Sequence, residues 1–151
     1  MFAELLELED QIKAAAADDE DGPGIDLRVY PWRPSGYPEL PAIWNWIDDG
    51  SYELDDTARA TDTLVVTVTI GVRPADLDEI MDRLVVLTDV ALGVLDPALW
   101  TNQPLGGTAK RAKRLRMATR IDQFLVNDRE APVMCMDLPI EVHLSRFIGG
   151  A

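Results

Sequence analysis

Along residues 62–95, DTLVVTVTIGVRPADLDEIMDRLVVLTDVALGVL, the spacing of hydrophobic positions changes once, from two to 3.6. Between 64 and 72 every even position is a large aliphatic residue: Leu64, Val66, Val68, Ile70 and Val72. The odd positions are Val65, Thr67, Thr69 and Gly71. Period two with β-branched residues predicts a strand with one dry face and one wetter face. Pro74 suits a first helical turn, and Asp76, Asp78 and Glu79 put negative charge where a helix N-terminus favours it. Leu77, Ile80, Met81, Leu84, Val85, Ala91, Leu92 and Leu95 then share one helical stripe. Val86, Leu87, Val90 and Val94 add a second apolar ridge, so this helix is expected to be buried on two sides. The ridge is covered either by the first helix of the same chain or by another subunit.

Residues 2–17 predict an amphipathic helix, with Phe2, Leu5, Leu8, Ile12 and Ala15 on one face and Glu4, Glu7, Glu9 and Lys13 around it. The acidic run at 18–21 with Gly22 does not fit a calcium loop, because that register puts Ala17 first; a solvated loop is expected. A short strand at 27–30 leads into a stretch with prolines at 31, 34, 38 and 41, an extended loop up to about Ala42. Ile43, Trp44 and Trp46 suggest another strand, and Asp48-Asp49-Gly50-Ser51 a turn. Trp32, Trp44 and Trp46 either stack bases, line a peptide groove, or anchor core and loop, the last being the simplest. Residues 96–108 read as a long loop, of a length that is often functional. Leu115, Met117, Thr119, Ile121, Gln123 and Leu125 alternate as a strand to Val126, with a hairpin turn at 127–130. On the return strand Met134, Met136, Leu138, Ile140, Val142 and Leu144 share one side, and Pro139 points to an edge position or a bulge. The order α-β-β-β-α-β-β predicts a single α+β domain over residues 1–151, a mostly antiparallel sheet flanked by an N-terminal helix and a long central helix.

Charge changes this picture. The 151 residues carry a formal net charge of -13, unevenly spread. Residues 1–109 hold 6 basic and 22 acidic side chains, while residues 110–120 hold 6 basic and none acidic. A net acidic surface disfavours general nucleic-acid or membrane binding. Cys135 is the only cysteine, which excludes an intramolecular disulfide and suits a reducing cytoplasm. The first 13 residues have no basic n-region, so no signal peptide is expected, and no run approaches a membrane span.

Catalytic residues are hard to assemble. His143 and Cys135 lie eight residues apart on one face of the last strand, roughly 26 Å at the usual rise, far beyond nucleophile–base reach. Metal ligands of zinc type and a phosphate loop are lacking. A carboxylate pair or metal site at Asp48/Asp49 or Asp55/Asp56 is formally open, but solvated turns are the simpler reading. No catalytic residue, cofactor or metal is expected, and the protein is not expected to be an enzyme. Lys110, Arg111, Lys113, Arg114 and Arg116, with Arg120 beyond, have no aromatic interleaved, so docking on an acidic protein surface is preferred to phosphate contact, a plain solvated strand end being the simplest alternative. Trp100, Val86, Leu87, Val90 and Val94 complete the candidate interface.

The order of elements, with VYPWRP, PAIWNW, TLVVTVTIGV, PADLDEIMDRL and RIDQFLVND, resembles tail terminator (tail completion, head–tail joining) proteins of siphovirus-type phages. The resemblance covers most of the chain and lies in architecture rather than an invariant signature. It implies a non-enzymatic virion protein at the head–tail junction, assembled in the host cytoplasm. It also implies a homo-oligomer, a hexameric ring, that caps the tail tube protein, meets a head-side connector, and passes genomic DNA without sequence-specific binding. Alternatives are another neck protein, or a small nucleic-acid-binding regulator using residues 110–120.

Overall fold

The structure, a computed structural model, describes residues 1–54 and 59–147, with backbone alone at 48–54, 59, 146 and 147. Helix α1 spans Phe2–Ala17 and α2 spans Leu77–Leu99. The strands are β1 (Arg28–Val29), β2 (Ala42–Leu54), β3 (Arg59–Val72), β4 (Arg111–Arg114), β5 (Ala118–Val126) and β6 (Arg129–Phe147). They form one sheet in the order β1-β2-β3-β6, with β4 and β5 sharing the far edge of β6. Among the described residues β1 and β2 run parallel, and every other pairing is antiparallel. The fold is α+β, as the hydrophobic periods predict, with the first of the two closing strands broken into β4 and β5.

Both helices pack on one face of the sheet. The even positions of β3 and β6 supply the floor of that core: Val66, Val68, Ile70, Val72, Leu138, Ile140 and Val142 are buried there. From α2 come Ile80, Leu84, Leu87, Ala91 and Leu95. The second ridge of this helix is covered in part, from within the chain, and α1 packs beside α2. Leu87 is buried in the core, Val90 and Val94 pack against it, and Val86 stays exposed. On α1 the buried positions are Leu5, Glu9, Ile12 and Ala16, so the stripe is rotated from the sequence reading and takes in a carboxyl group.

The odd face of β3 is drier than alternation suggests. Thr67 and Thr69 are buried, and Ala42, Trp44, Phe124, Val133 and Cys135 form a second, smaller core there, with Tyr30, Tyr37, Leu40 and Trp46 packed around it. The Pro-rich segment is thus a lid on this face. Gly71 makes the fit possible: a Cβ there would lie 2.7 Å from Cη2 of Trp44.

Three local expectations are corrected. Residues 48–51 do not turn; β2 runs on to Leu54, and the register shifts between Ile47 and Asp49, a bulge that absorbs the polar stretch. The loop begins at Trp100 and not at Asp96, because Pro97 is held inside α2. Its missing N–H leaves free the carbonyl of Gly93, which like Pro97 is exposed, so water can meet it. Pro139 lies on a central strand, not an edge. Its carbonyl accepts from Leu115 N on the outer side. The absent donor of the same residue points the same way, into the gap between β5, which pairs up to Asp137, and β4, which pairs from Ile140.

Pro74 precedes the helix, and Asp76 is the N-cap of α2, its carboxylate accepting from Glu79 N at 3.0 Å. Replacing Asp76 by Ala is expected to cost about 1 kcal/mol. Thermal denaturation should read this as a fall in Tm of about 2–4 °C. An unchanged Tm would show that the cap is not needed.

Candidate functional site

The reactive side chains are far apart in the fold. Cys135 pairs with Gly71 and Arg120, and His143 with Thr63 and Arg111, at the two ends of one continuous strand. Burial pushes the Cys135 thiol up to about 12, so it is neutral and inert at ordinary pH. His143 instead bonds Glu141 Oε1 at 2.9 Å through Nε2 and Thr63 Oγ1 at 3.3 Å through Nδ1. That bond to His143, aided by Lys113, holds the Glu141 carboxyl below its ordinary value. Among the described residues no three His, Cys, Asp or Glu side chains gather as a metal site. Asp55 and Asp56 lie outside the described residues, and only the backbone of Asp48 and Asp49 is described. No described helix is long and apolar enough to cross a membrane.

The basic segment forms the far edge of the sheet. Lys110 N donates to the His143 carbonyl, and β4 pairs with β6 over four residues. Alternation divides its charges between two faces. Arg114 turns to the helices, where Nε meets Asp96 Oδ1 at 3.0 Å. Arg111 and Lys113 lie on the opposite face beside Glu141 and His143, around a groove of about 220 Å³. Lys113 reaches Glu141 at 3.7 Å. Lys110, Arg111 and Arg116 are exposed and have no ion pair among the described residues.

Arg120 belongs to a different arrangement, one the sequence did not reveal. On the face opposite the helices its guanidinium bonds Asp137 and also Asp122, at 3.1 Å. Asp122 accepts in turn from Arg33 Nε and Nη2 at 3.1 and 3.0 Å. Arg33 sits 4.2 Å over the Phe124 ring, and Arg120 5.5 Å from that of Trp46. Asp137 accepts from Thr69 Oγ1, which accepts from Trp46 Nε1. Burial opposes ionisation of Asp122, but the two guanidinium groups hold its carboxyl below the ordinary value. The ladder ties the Pro-rich segment to β5, β6 and β3. All its charges are matched, so it reads as a clamp rather than a ligand site. No local pattern signals it, since Arg33 and Asp122 are 89 residues apart.

Exposed apolar side chains mark the remaining surface. Leu77, Met81 and Val85 succeed one another at one-turn intervals along α2, Leu77 at 70% exposure. They belong to the predicted core stripe, but the helix turns them past its packing partners. On β5, Ile121 and Leu125 are exposed, although alternation suggested an inward face; the inward side chains are Phe124 and the charged Arg120 and Asp122. Ile121 is opposite Met134, which packs on the helix-side core, so the exposed residues of β5 and α2 lie on the same side of the sheet. Trp100 at the end of α2 is exposed as well. Of the candidate interface, then, Leu87 offers no surface, Val90 and Val94 offer little, and Trp100, Val86, Lys110, Arg111 and Arg116 are open to a partner. The sequence matches no protein-family model and no curated protein.

Proposed function

We propose that this chain is a structural virion protein, a tail terminator of a long-tailed phage that caps the tail tube and joins it to the head as a ring, working by docking and not by catalysis. The observation that carries the reading is the row of exposed apolar side chains, Leu77, Met81 and Val85 on α2 with Ile121 and Leu125 on β5. Apolar side chains exposed in succession along a helix and along a strand support an interaction surface. The resemblance in element order supplies the kind of partner: further copies of the chain, the tail tube protein, and a head-side connector. The acidic balance supports a channel through which DNA slides without sticking. With Lys113, Arg114 and Arg120 already paired to acids of the chain itself, the basic segment is better suited to a protein surface than to phosphates.

Negative-stain imaging of the pure protein mixed with tail tubes of its phage, combined with mass measurement, tests the reading. Rings on tube ends are the expected result. A chain indifferent to tubes would sink it, as would rings that join heads but never touch tubes, the behaviour of another neck protein. Tight DNA binding at physiological salt, abolished when Lys110, Arg111, Lys113 and Arg114 are replaced by Ala, would instead favour the regulator.

A further inference from the structure

The strands at the two open edges of the sheet differ in the charge of their sequences. On one side β1 pairs with β2 only at Ala42 and Ile43, and Tyr30 N adds one more bond to the Ile43 carbonyl. Beyond that point, among the described residues, the outer edge of β2 is unpaired as far as Leu54. This stretch holds Asp48, Asp49 and Glu53 and no basic residue. Across the sheet the outer edge belongs to β4 and β5, which pair only with β6. Here Lys110, Arg111 and Arg116 are exposed and without an ion pair among the described residues.

We infer that a second copy of this chain docks edge to edge, the acidic outer edge of β2 in one copy pairing with the basic β4–β5 edge of the next. Unpaired strand edges present rows of N–H and C=O groups that template pairing with another chain. Charges of one sign on both edges would keep copies apart; here they draw unlike edges together and repel like ones. The contact is head-to-tail, since the two surfaces differ, and a head-to-tail contact that closes generates a ring. Ile121 and Leu125, on β5, lie along the same seam and would be covered by the arriving copy. The inference rests on the ring reading above and names the surfaces that build it.

Paired charge reversal decides it. One variant carries Lys110→Glu, Arg111→Glu and Arg116→Glu; the other carries Asp48→Lys, Asp49→Lys and Glu53→Lys. Sedimentation at low ionic strength should show the wild type associating, and each variant alone associating roughly a hundredfold more weakly. Mixed in equal amounts, the variants should recover wild-type assemblies, because each edge again meets its opposite. A monomeric wild type under these conditions, or a mixture no better than its parts, overturns the edge pairing. Assemblies that survive both reversals overturn it too, yet leave the ring reading intact, which stands or falls by tube capping. Should a variant fail to fold, the wild type's own salt dependence decides: association that does not weaken with added salt contradicts a charge-matched seam.

Discussion

Replacing Glu9 by Gln is expected to stabilise the protein at pH 8 by about 2–4 kcal/mol while changing little at pH 4.5. Glu9 is fully buried on α1. Neither of its carboxyl oxygens, nor Oδ1 of Asn45, has a hydrogen-bond partner among the described residues. Burial pushes the carboxyl from its ordinary 4.5 up to about 8; the Asn45 side chain opposes the shift and the neighbouring Asp10 charge adds to it. Below pH 4.5 the folded and unfolded chains both hold the proton, and Glu9 adds no pH dependence. Between 4.5 and about 8 the unfolded chain has released it and the folded chain has not. Stability therefore falls as pH rises through this window, by about 1.4 kcal/mol per pH unit at most, and the slope from this group ends above about 8. Gln keeps the shape, removes the titration and offers an amide donor to Asn45. Urea denaturation of both proteins from pH 4.5 to 9 measures the difference. A Gln variant whose stability declines with pH as steeply as the wild type would remove Glu9 as the cause.

The second large effect lies on the other face of the sheet. Trp44 is completely buried and packs edge-on against Phe124, ring centroids 5.7 Å apart. Trp44→Leu should cost about 3 kcal/mol through lost contacts and the cavity left behind. Gly71→Ala should cost about 2 kcal/mol for the opposite reason, since the new methyl would press on the indole and on Val133 Cγ1 at 2.9 Å. The two substitutions relieve one another: with Leu at 44 the space above residue 71 opens. The double variant should thus be more stable than the sum of the singles, by about 1 kcal/mol or more. Strict additivity in a denaturation cycle would show that Gly71 is not shaped by Trp44.

These two sites also show where reading the chain alone reaches its limit. The period-two run at 64–72 and the 3.6-period stripe after it required a strand and a helix in any fold, because each periodicity aligns apolar groups on one side of one kind of backbone. Together with the Met134–Leu144 alternation they determined the α+β class, the helix-side core and the order of elements. Alternation identifies two faces of a strand, but what covers each face depends on distant segments. Ile121 and Leu125 look like core residues by period, and lose that place to Phe124 because the Pro-rich segment folds over the opposite face. The Arg33–Asp122 pairing, the burial of Glu9 and the halves of the basic segment that face Asp96 or open groove are likewise set by contacts between remote residues.

What the sequence determined by itself was the alternation of strand and helix and the uneven charge, properties carried by neighbours along the chain. What only the tertiary structure decided was which apolar ridge is covered, which cations are free, and that the acidic 48–53 stretch and the basic 110–116 stretch end on opposite margins of one sheet. Hydrogen bonding between strands far apart in sequence makes those margins, and no local pattern encodes them.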